Sequence, residues 1–435
     1  MIRIILKNLW NRRGRNAWLF IELVIVTALS WYIFDPVLVS LADETQPLGY
    51  DADRLVRVNV ISLPENASGY DVAAADSTAG MSFYHRILDR LGSLPEVENR
   101  SVNAIETGLG EQSLSVNSFR ALTAGDSLVN GVIQLTYWHD TNFFETFGIR
   151  TAQGSPSPEE LSRQLYRSGV VITKDLAEVY WPGENAVGKH FKRINSDGDT
   201  VNMKRIVAVV EPVRYHSFLR TGAMAFSLDP WATFPPEDFT VTLRLRPGAD
   251  VDDFSRSLAA AAPDYAAGNY RIASVTPYES VIESTAMANG VPSERSRRMA
   301  AGIFFLVNLI LGVVGSFVLQ TERRVGEIGV HRSYGATRTD ITVMIVGEAV
   351  VLALVSVAVG TLLYLQRALY SGLDGGFGNN QMFYDTGCWQ SDFGSHFAVI
   401  TVATALLVVG CTVIGSLIPA LRASSIRPVD ALRAE

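Results

Sequence analysis

Four long apolar stretches interrupt a chain that otherwise alternates short strand-like and helix-like patterns. They cover residues 17–34, 300–320, 341–365 and 397–418. Crossing a ~30 Å hydrocarbon core takes ~20 consecutive apolar residues, so each reads as a membrane span. The first is the shortest and carries Glu22. Ahead of it Ile2, Ile5, Leu6, Leu9 and Trp10 fall at i, i+3, i+4, i+7 and i+8, with Arg3, Lys7, Asn8 and Arg12 off that face. Residues 1–16 therefore predict an amphipathic helix lying in the membrane interface. A basic flank before an apolar run is also the form of a signal peptide. Ala28-Leu29-Ser30 is a poor cleavage site in mid-run, however, and Trp31-Tyr32 suits an interfacial anchor, so an uncleaved span is expected.

Between the first and second spans, residues 35–299 follow shorter periods. Strands are predicted over 55–61, 241–245 and 270–275. Phe83, Ile87, Leu91 and Leu94 form a helical stripe ended by Pro95, and Asp250 caps a helix to about Ala261 after the Pro247-Gly248 turn. Repeated strand–helix–strand units predict a compact α+β domain with room for two lobes. From about Thr276 the pattern becomes a polar helical run, with residues 293–298 leading into the second span as a stalk. A helix continuous from the domain into the bilayer would couple the two mechanically. The fold class expected is α+β: four transmembrane helices with a large extracytoplasmic domain inserted between the first and second.

Charge orients this arrangement. Arg3, Lys7, Arg12, Arg13 and Arg15 precede the first span, and Arg323, Arg324, Arg332 and Arg338 lie between the second and third. Arg422, Arg427 and Arg433 follow the fourth, whereas the 366–396 loop has only Arg367 against Asp374, Asp385 and Asp392. Bases in short loops mark the cytoplasmic side. Both termini, the 321–340 loop and the 419–435 tail are thus expected in the cytoplasm of a multi-pass inner-membrane protein. The insert at 35–299 holds 34 acids and 24 Lys+Arg, a net of −10, while the rest has 10 acids and 13 bases. An acidic external surface argues against a nucleic-acid partner. Of the two cysteines, Cys411 lies within a span and Cys388 in the external loop, which excludes a disulfide framework.

Catalytic signatures are scarce. Gly183 to His190 nearly spells a phosphate loop, but His190 stands where the Mg²⁺-binding Ser/Thr belongs, Trp181-Pro182 precedes it instead of a strand, and it falls outside the cytoplasm. A turn before a strand is the expected structure. His85, His139, His190, His216, His331 and His396 show no metal-ligand spacing, and no nucleophile motif occurs. No catalytic, cofactor or metal residue is expected. Glu22 and Glu348 sit within spans near the cytoplasmic side, where an acid either serves a function or bonds to a neighbouring helix. Ser356 and Gly360 form a small-xxx-small pair in the third span, and Gly312 and Gly315 thin the second.

The basic stretch 322–341, ERRVGEIGVHRSYGATRTDI, is too short to be a domain and is held by a span on each side. Glu327/His331 and Val330/Tyr334 at i, i+4, with Val325/Ile328 at i, i+3, predict a helix of two to three turns. Gly335 is its C-cap candidate, and Thr337 with Asp340 forms a capping-box variant that restarts a helix into the third span.

Arg324-x-x-Glu327-Ile328-Gly329 followed by Gly335-Ala336 resembles the cytoplasmic signature of MacB/FtsX-type ABC transporter permeases. Glu348 matches an acid in the following span of that family. Pro419-Ala-Leu-Arg422-Ala423, Ile426-Arg-Pro428 and Ala431-Leu-Arg433 resemble its C-terminal tail. Asn142-Phe143-Phe144 with Phe147-Gly148, residues 170–177, Asn185 with Gly188-Lys189, and residues 207–210 resemble its periplasmic core domain. His331 stands where an arginine is usual and Gly326 where a bulkier polar residue is. The resemblance implies a permease that dimerises with a second copy or a related permease and binds a separate ABC-type ATPase, which would hold ATP and Mg²⁺. It also implies ATPase-coupling roles for Arg324, Glu327, Ile328, Gly329, Arg332, Gly335 and Ala336. Membrane lipid, a periplasmic adaptor and an outer-membrane channel complete the partners it suggests. The expected function is mechanotransmission that exports or extracts a substrate at the outer face. The alternatives are an FtsX-like signal transducer acting on a cell-wall hydrolase, and a membrane-anchored sensor working without ATP.

Overall fold

Alternating apolar positions outside the long spans build a mixed α+β unit, and the spans themselves build a helical one. A computed structural model describes residues 13–112, 116–121, 128–138, 142–163, 169–194, 200–228, 233–322, 325–373, 389–390 and 392–425. The amphipathic-helix reading of residues 1–12, the tail from Ile426, and Arg324, His139 and Cys388 lie outside the described residues. The strands are β1 Leu55–Ser62, β2 Val97–Asn103, β3 Val116–Ala121, β4 Leu128–Tyr137, β5 Gly169–Thr173, β6 His190–Ile194, β7 Thr200–Val210, β8 Met224–Leu228, β9 Phe239–Leu245 and β10 Tyr270–Pro277. The α-helices are α1 Arg13–Glu44, α2 Ser77–Gly92, α3 Phe143–Phe147, α4 Pro158–Arg163, α5 Lys174–Tyr180, α6 Val251–Ala260, α7 Tyr278–Ala288, α8 Val291–Glu322, α9 Val325–Ser333, α10 Arg338–Ser371 and α11 Phe393–Ser425. Described residues of 1–41, 293–375 and 389–435 form one unit, and those of 42–292 form the other.

The α+β unit has two lobes. In the first, an antiparallel sheet of order β10-β1-β9-β2 is built from two β-α-β segments, β1-α2-β2 and β9-α6-β10, the split arrangement of ferredoxin-like folds. Helix α2 starts where the Asp76 carboxylate accepts from Thr78 N–H at 3.1 Å, and it buries Tyr84, Ile87, Leu88 and Leu91 against Val56, Val58 and Val60. Ile87 and Leu91 of the expected stripe face the core, and Tyr84 and Leu88 complete it. Phe83 flanks the core, and Leu94 falls beyond the helix end. Phe83 instead lies over Gly268, where φ is +54° and a Cβ would stand 2.4 Å from the ring, so glycine is required.

The second lobe is a closed barrel of order β3-β4-β8-β5-β7-β6, inserted between β2 and β9. Strand β5 is buried along its whole length, between parallel β7 and antiparallel β8. Helix α3 packs Phe143, Phe144 and Phe147 into a core shared with Tyr50, Leu55, Phe226 and Tyr278. It stops at Gly148 (φ +67°), where a Cβ would meet the Asp51 carboxylate at 2.6 Å and the Arg244 guanidinium at 2.7 Å. Those two side chains are bonded to each other at 2.5 Å. The Phe-Phe…Phe-Gly pattern is thus a buried wedge and its stop.

Helices α1, α8, α10 and α11 form the other unit, and all four are long and apolar enough to cross a membrane. Leu19, Leu23, Val313, Phe317, Ala353, Val357, Val408 and Cys411 share its core. Helix α1 has 32 residues, about 48 Å at 1.5 Å per residue, so it continues well past Phe34, where hydropathy ends the span. Hydropathy marks the edge of the hydrocarbon, whereas the helix stops only at Glu44, running through Pro36. At its other boundary α8 absorbs residues 291–299 without interruption, but α7 is separate from it, broken at Asn289-Gly290 where Gly290 has φ +74°. The stalk is therefore one continuous helix only from Val291 onward.

Small residues set the close approaches. A Cβ on Gly360 would stand 2.7 Å from Thr27 Cβ and 2.9 Å from Val24 O, and Ser356 Oγ donates to Phe20 O at 3.4 Å, so α10 lies directly on α1. Gly415 meets Val313 in the same way. Gly315 does not: nothing lies within 4 Å of its Cβ position. Ser316 Oγ donates to the Glu22 carboxylate at 2.7 Å, beside Gly312, so this intramembrane acid bonds a neighbouring helix. Glu348 is buried within α10.

Candidate coupling site at the 322–340 loop

The loop folds as the short helix α9, a sharp stop and a restart. Ala336 N–H donates to His331 O and Gly335 N–H to Arg332 O, both at 3.1 Å, with Gly335 at φ +95°. This pair of bonds is a Schellman stop, for which glycine is favoured because a Cβ is strained at that φ. Two residues on, Asp340 N–H donates to Thr337 Oγ1 at 3.2 Å and Thr337 N–H donates to the Asp340 carboxylate at 2.9 Å, completing a capping box. Stop and restart together fix the direction of α9 relative to α10.

Helix α9 has two faces of different character. Ile328 is 3% exposed and packs with Ile341 and Ile345 of α10 and Ala420 and Ala423 of α11, with half-buried Ala336 at the margin. Gly329 is buried beside it. The Arg332 guanidinium donates to Ser424 O in the last turn of α11, where carbonyls have no partner within the helix. A cation there also complements the helix dipole. Glu327 is half-buried. Val330 and His331 of α9, and Tyr334 and Gly335 just after it, are exposed; Tyr334 is 89% exposed. The residues expected to act in coupling are therefore divided. Ile328, Gly329 and Arg332 lie toward this chain's own spans, while Gly335 is exposed beside Val330, His331 and Tyr334, which the sequence reading had not assigned to coupling. Exposed Val330 and Tyr334 at i, i+4 were the available signal.

Polar groups elsewhere are structural in their surroundings. In the near-phosphate loop, Gly183 and Gly188 take positive φ, Asn185 Oδ1 accepts from Val187 N–H at 2.9 Å, and Lys189 bonds Glu184 at 2.5 Å over the Trp181 ring. Its cation is already engaged, and β6 follows. Within the α+β unit Glu111 is 1% exposed, accepting from Gly108 N–H at 3.0 Å with Arg57 at 3.7 Å. Burial pushes its carboxyl above the usual range and does the same to the neighbouring Tyr50, Tyr215 and Tyr278 phenols. A group so enclosed does not meet solvent.

The sequence reading did not find the buried charges that hold residues 43–46 within the α+β unit. Asp43 forms a buried ion pair with Arg220 at 3.0 Å, and the fully buried Arg214 donates to Gln46 O at 2.6 Å and Leu219 O at 2.7 Å. Asp43 and Arg220, like Gln46 and Arg214, are over 160 residues apart in the chain and carry no local signature.

Comparison with known proteins fits this architecture. The FtsX-like permease C-terminal model matches residues 299–428, and the MacB-like periplasmic core domain model matches residues 46–261. The chain belongs to the MacB/FtsX-type permease family. Among solved structures, this permease is similar to the periplasmic region of MacB from Actinobacillus actinomycetemcomitans. The match has 10% identity over 54% of this chain and 94% of that one, with a TM-score of 0.31. It is also similar to the extracellular domain of the noncanonic ABC-type transporter YknZ from Gram-positive bacteria. There the identity is 11% over 50% of this chain and 98% of that one, with a TM-score of 0.27. No curated protein matches the permease.

Proposed function

We propose that this permease is a mechanotransmitting subunit that converts ATP hydrolysis by a separate ABC-type ATPase into movement of its α+β unit, with the 322–340 loop in the cytoplasm. The family works with ABC ATPases, which supports an ATPase as the partner. The observation that carries the reading is the two-sidedness of α9. Val330, His331 and Tyr334 form the receiving face, while Ile328 and Arg332 join α9 to the ends of α10 and α11. A push on the outer face is then delivered to two spans at once. Within the α+β unit, Asp43–Arg220 and Arg214–Gln46 hold residues 43–46 in place. The output is export or extraction of a substrate at the outer face of the inner membrane.

Co-purification of the full chain with candidate ABC ATPases tests this. A complex whose stability changes with ATP is expected, weakened at least tenfold by Val330→Asp or Tyr334→Ala, since exposed aromatic anchors carry much of an interface's energy. Ile328→Ala should leave binding intact but uncouple ATP turnover from substrate release. Absence of any ATP-responsive complex would sink the proposal.

A further inference from the structure

A cavity of about 400 Å³ opens in the helical unit, at the end where α1 runs on toward Glu44 and α8 begins. It is within the ~300–1,000 Å³ range of small-molecule sites. From its lining we infer that it binds an amphiphile with a phosphate head and a hydrocarbon tail. The inference rests on the helical unit alone and needs no ATPase.

The electrostatics come first. Two bases and two acids line the cavity: Arg298, Arg367, Asp35 and Glu294. Three of the four are committed. Asp35 bonds His396 Nε2 at 2.6 Å, both side chains being almost fully buried. Glu294 bonds Arg298 Nε at 2.9 Å and also pairs with Arg297. Arg298 further donates to Ser40 Oγ at 3.2 Å and Pro36 O at 3.4 Å. Arg367 is the surplus cation: it has no carboxylate partner among the described residues, and its guanidinium rests over the Tyr32 ring at 5.1 Å. It is also the lone base of the 366–396 segment, at the end of the spans where bases are scarce.

Geometry supplies the specificity. A guanidinium stacked on an aromatic ring is already oriented, so its fork can meet a phosphate with two parallel hydrogen bonds at small entropic cost. An apolar wall of Ile33, Ala301, Tyr364 and Leu373 faces these charges, with Ser371 at its edge. Trp31, stacked on Tyr364 at 4.3 Å and Phe397 at 5.0 Å, places an aromatic layer at this level, where headgroups meet hydrocarbon. An oxyanion alone would leave that wall uncovered, and a neutral lipid would leave Arg367 unpaired. A phosphate-headed amphiphile satisfies both.

The test uses the full chain without ATPase, reconstituted in nanodiscs of phosphatidylcholine with a minor share of phosphatidylglycerol, and native mass spectrometry of the lipid it retains. Wild type should retain phosphatidylglycerol preferentially. Arg367→Gln should lower that retention about tenfold, the scale of one charge-assisted bidentate contact, with Arg367→Lys intermediate because the charge stays and the fork is lost. Ala301→Phe, which fills the apolar wall, should reduce retention without changing charge. Arg338→Gln, removing a base at the opposite end of α10, should not. Millimolar inorganic phosphate should fail to displace the lipid. Displacement by phosphate alone would overturn the amphiphile, and equal retention by Arg367→Gln and wild type would overturn the site.

Discussion

The two ends of the helical unit are held by different chemistry. At the end toward Glu44 and Val291, Trp31 is fully buried between Tyr364 and Phe397, its Nε1 donates to Thr401 Oγ1 at 3.3 Å, and the buried Asp35–His396 pair lies nearby. At the loop end one small cluster around Ile328 and one bond from Arg332 hold α9 in place. Large rigid rings and buried polar pairs admit few alternative packings, whereas the small aliphatic cluster of Ile328, Ile341, Ile345, Ala420 and Ala423 admits more. Elements that move in a switch come from the weakly held parts of a structure. On the proposed mechanism the loop end is the one that moves, and the ring-stacked end the one that keeps its form while passing the movement on.

Removing the strongest contact at the rigid end gives the largest expected effect. Trp31→Ala should destabilise the helical unit by about 4 kcal/mol, within the usual range for deleting a buried Trp. In a bilayer little of this is hydrophobic transfer; most is the cavity and the stranded polar group. Thermal unfolding in detergent or nanodiscs measures it. A loss no greater than that of Ile328→Ala would end the claim that the two ends differ.

Acid should act on the α+β unit and spare the loop end. His216 is 5% exposed, stacked on Phe218 at 4.8 Å, and its Nδ1 has no hydrogen-bond partner among the described residues. Burial lowers its pKa from 6.5 to about 4. The unfolded chain thus takes up a proton near pH 6.5 that the folded one refuses until about pH 4. The stability it contributes is complete above 6.5 and lost as pH falls through that window, up to about 3 kcal/mol. Hydrogen exchange at pH 7 and pH 5 should show β8 and the 211–222 segment opening more often, with α9 unchanged. His216→Phe should flatten the dependence.

Ile328→Ala should loosen α9 by about 2–3 kcal/mol, within the usual range for truncating a buried Ile, here one packed with Ile341, Ile345, Ala420 and Ala423. Arg332→Ala should cost about 2 kcal/mol for the lost bond from a charged donor. Since both act on one small helix, the double variant should fall short of their sum. Full additivity would mean that Ile328 and Arg332 hold different things.

Much of this was legible in the chain. The four spans, the α9 stop at Gly335, the Thr337–Asp340 restart and the Asp250 cap all rest on spacings of three to five residues or on runs of twenty, and such local rules survive folding. The barrel was not legible as a barrel. Its closure depends on β3 pairing with β6 and β4 with β8, partners more than 70 residues apart, and its short strands lack clean alternation because β5 is covered on both faces. Pairs such as Asp35–His396, 361 residues apart, have no sequence trace. On α2 the expected stripe held at Ile87 and Leu91 but not at Phe83, because Phe83 and Tyr84 are equally apolar in pattern and the space over Gly268 takes the Phe83 ring.

The smallest expected effect makes the finest test of the comparison. Thr337→Ala removes the side-chain acceptor for Asp340 N–H and one arm of the capping box, worth about 1 kcal/mol at a helix start. At the rigid end a loss of that size would be absorbed, because the rings fix the helices independently of their caps. At the loop end it is a sizeable share of what holds α9, since the turn from Gly335 to Asp340 sets the angle at which α9 meets α10. ATP-responsive coupling should therefore weaken in Thr337→Ala while overall thermal stability barely moves, and Thr337→Ser, which keeps the hydroxyl, should restore it. Coupling and stability falling together in both variants would show that α9 is no softer than the rest.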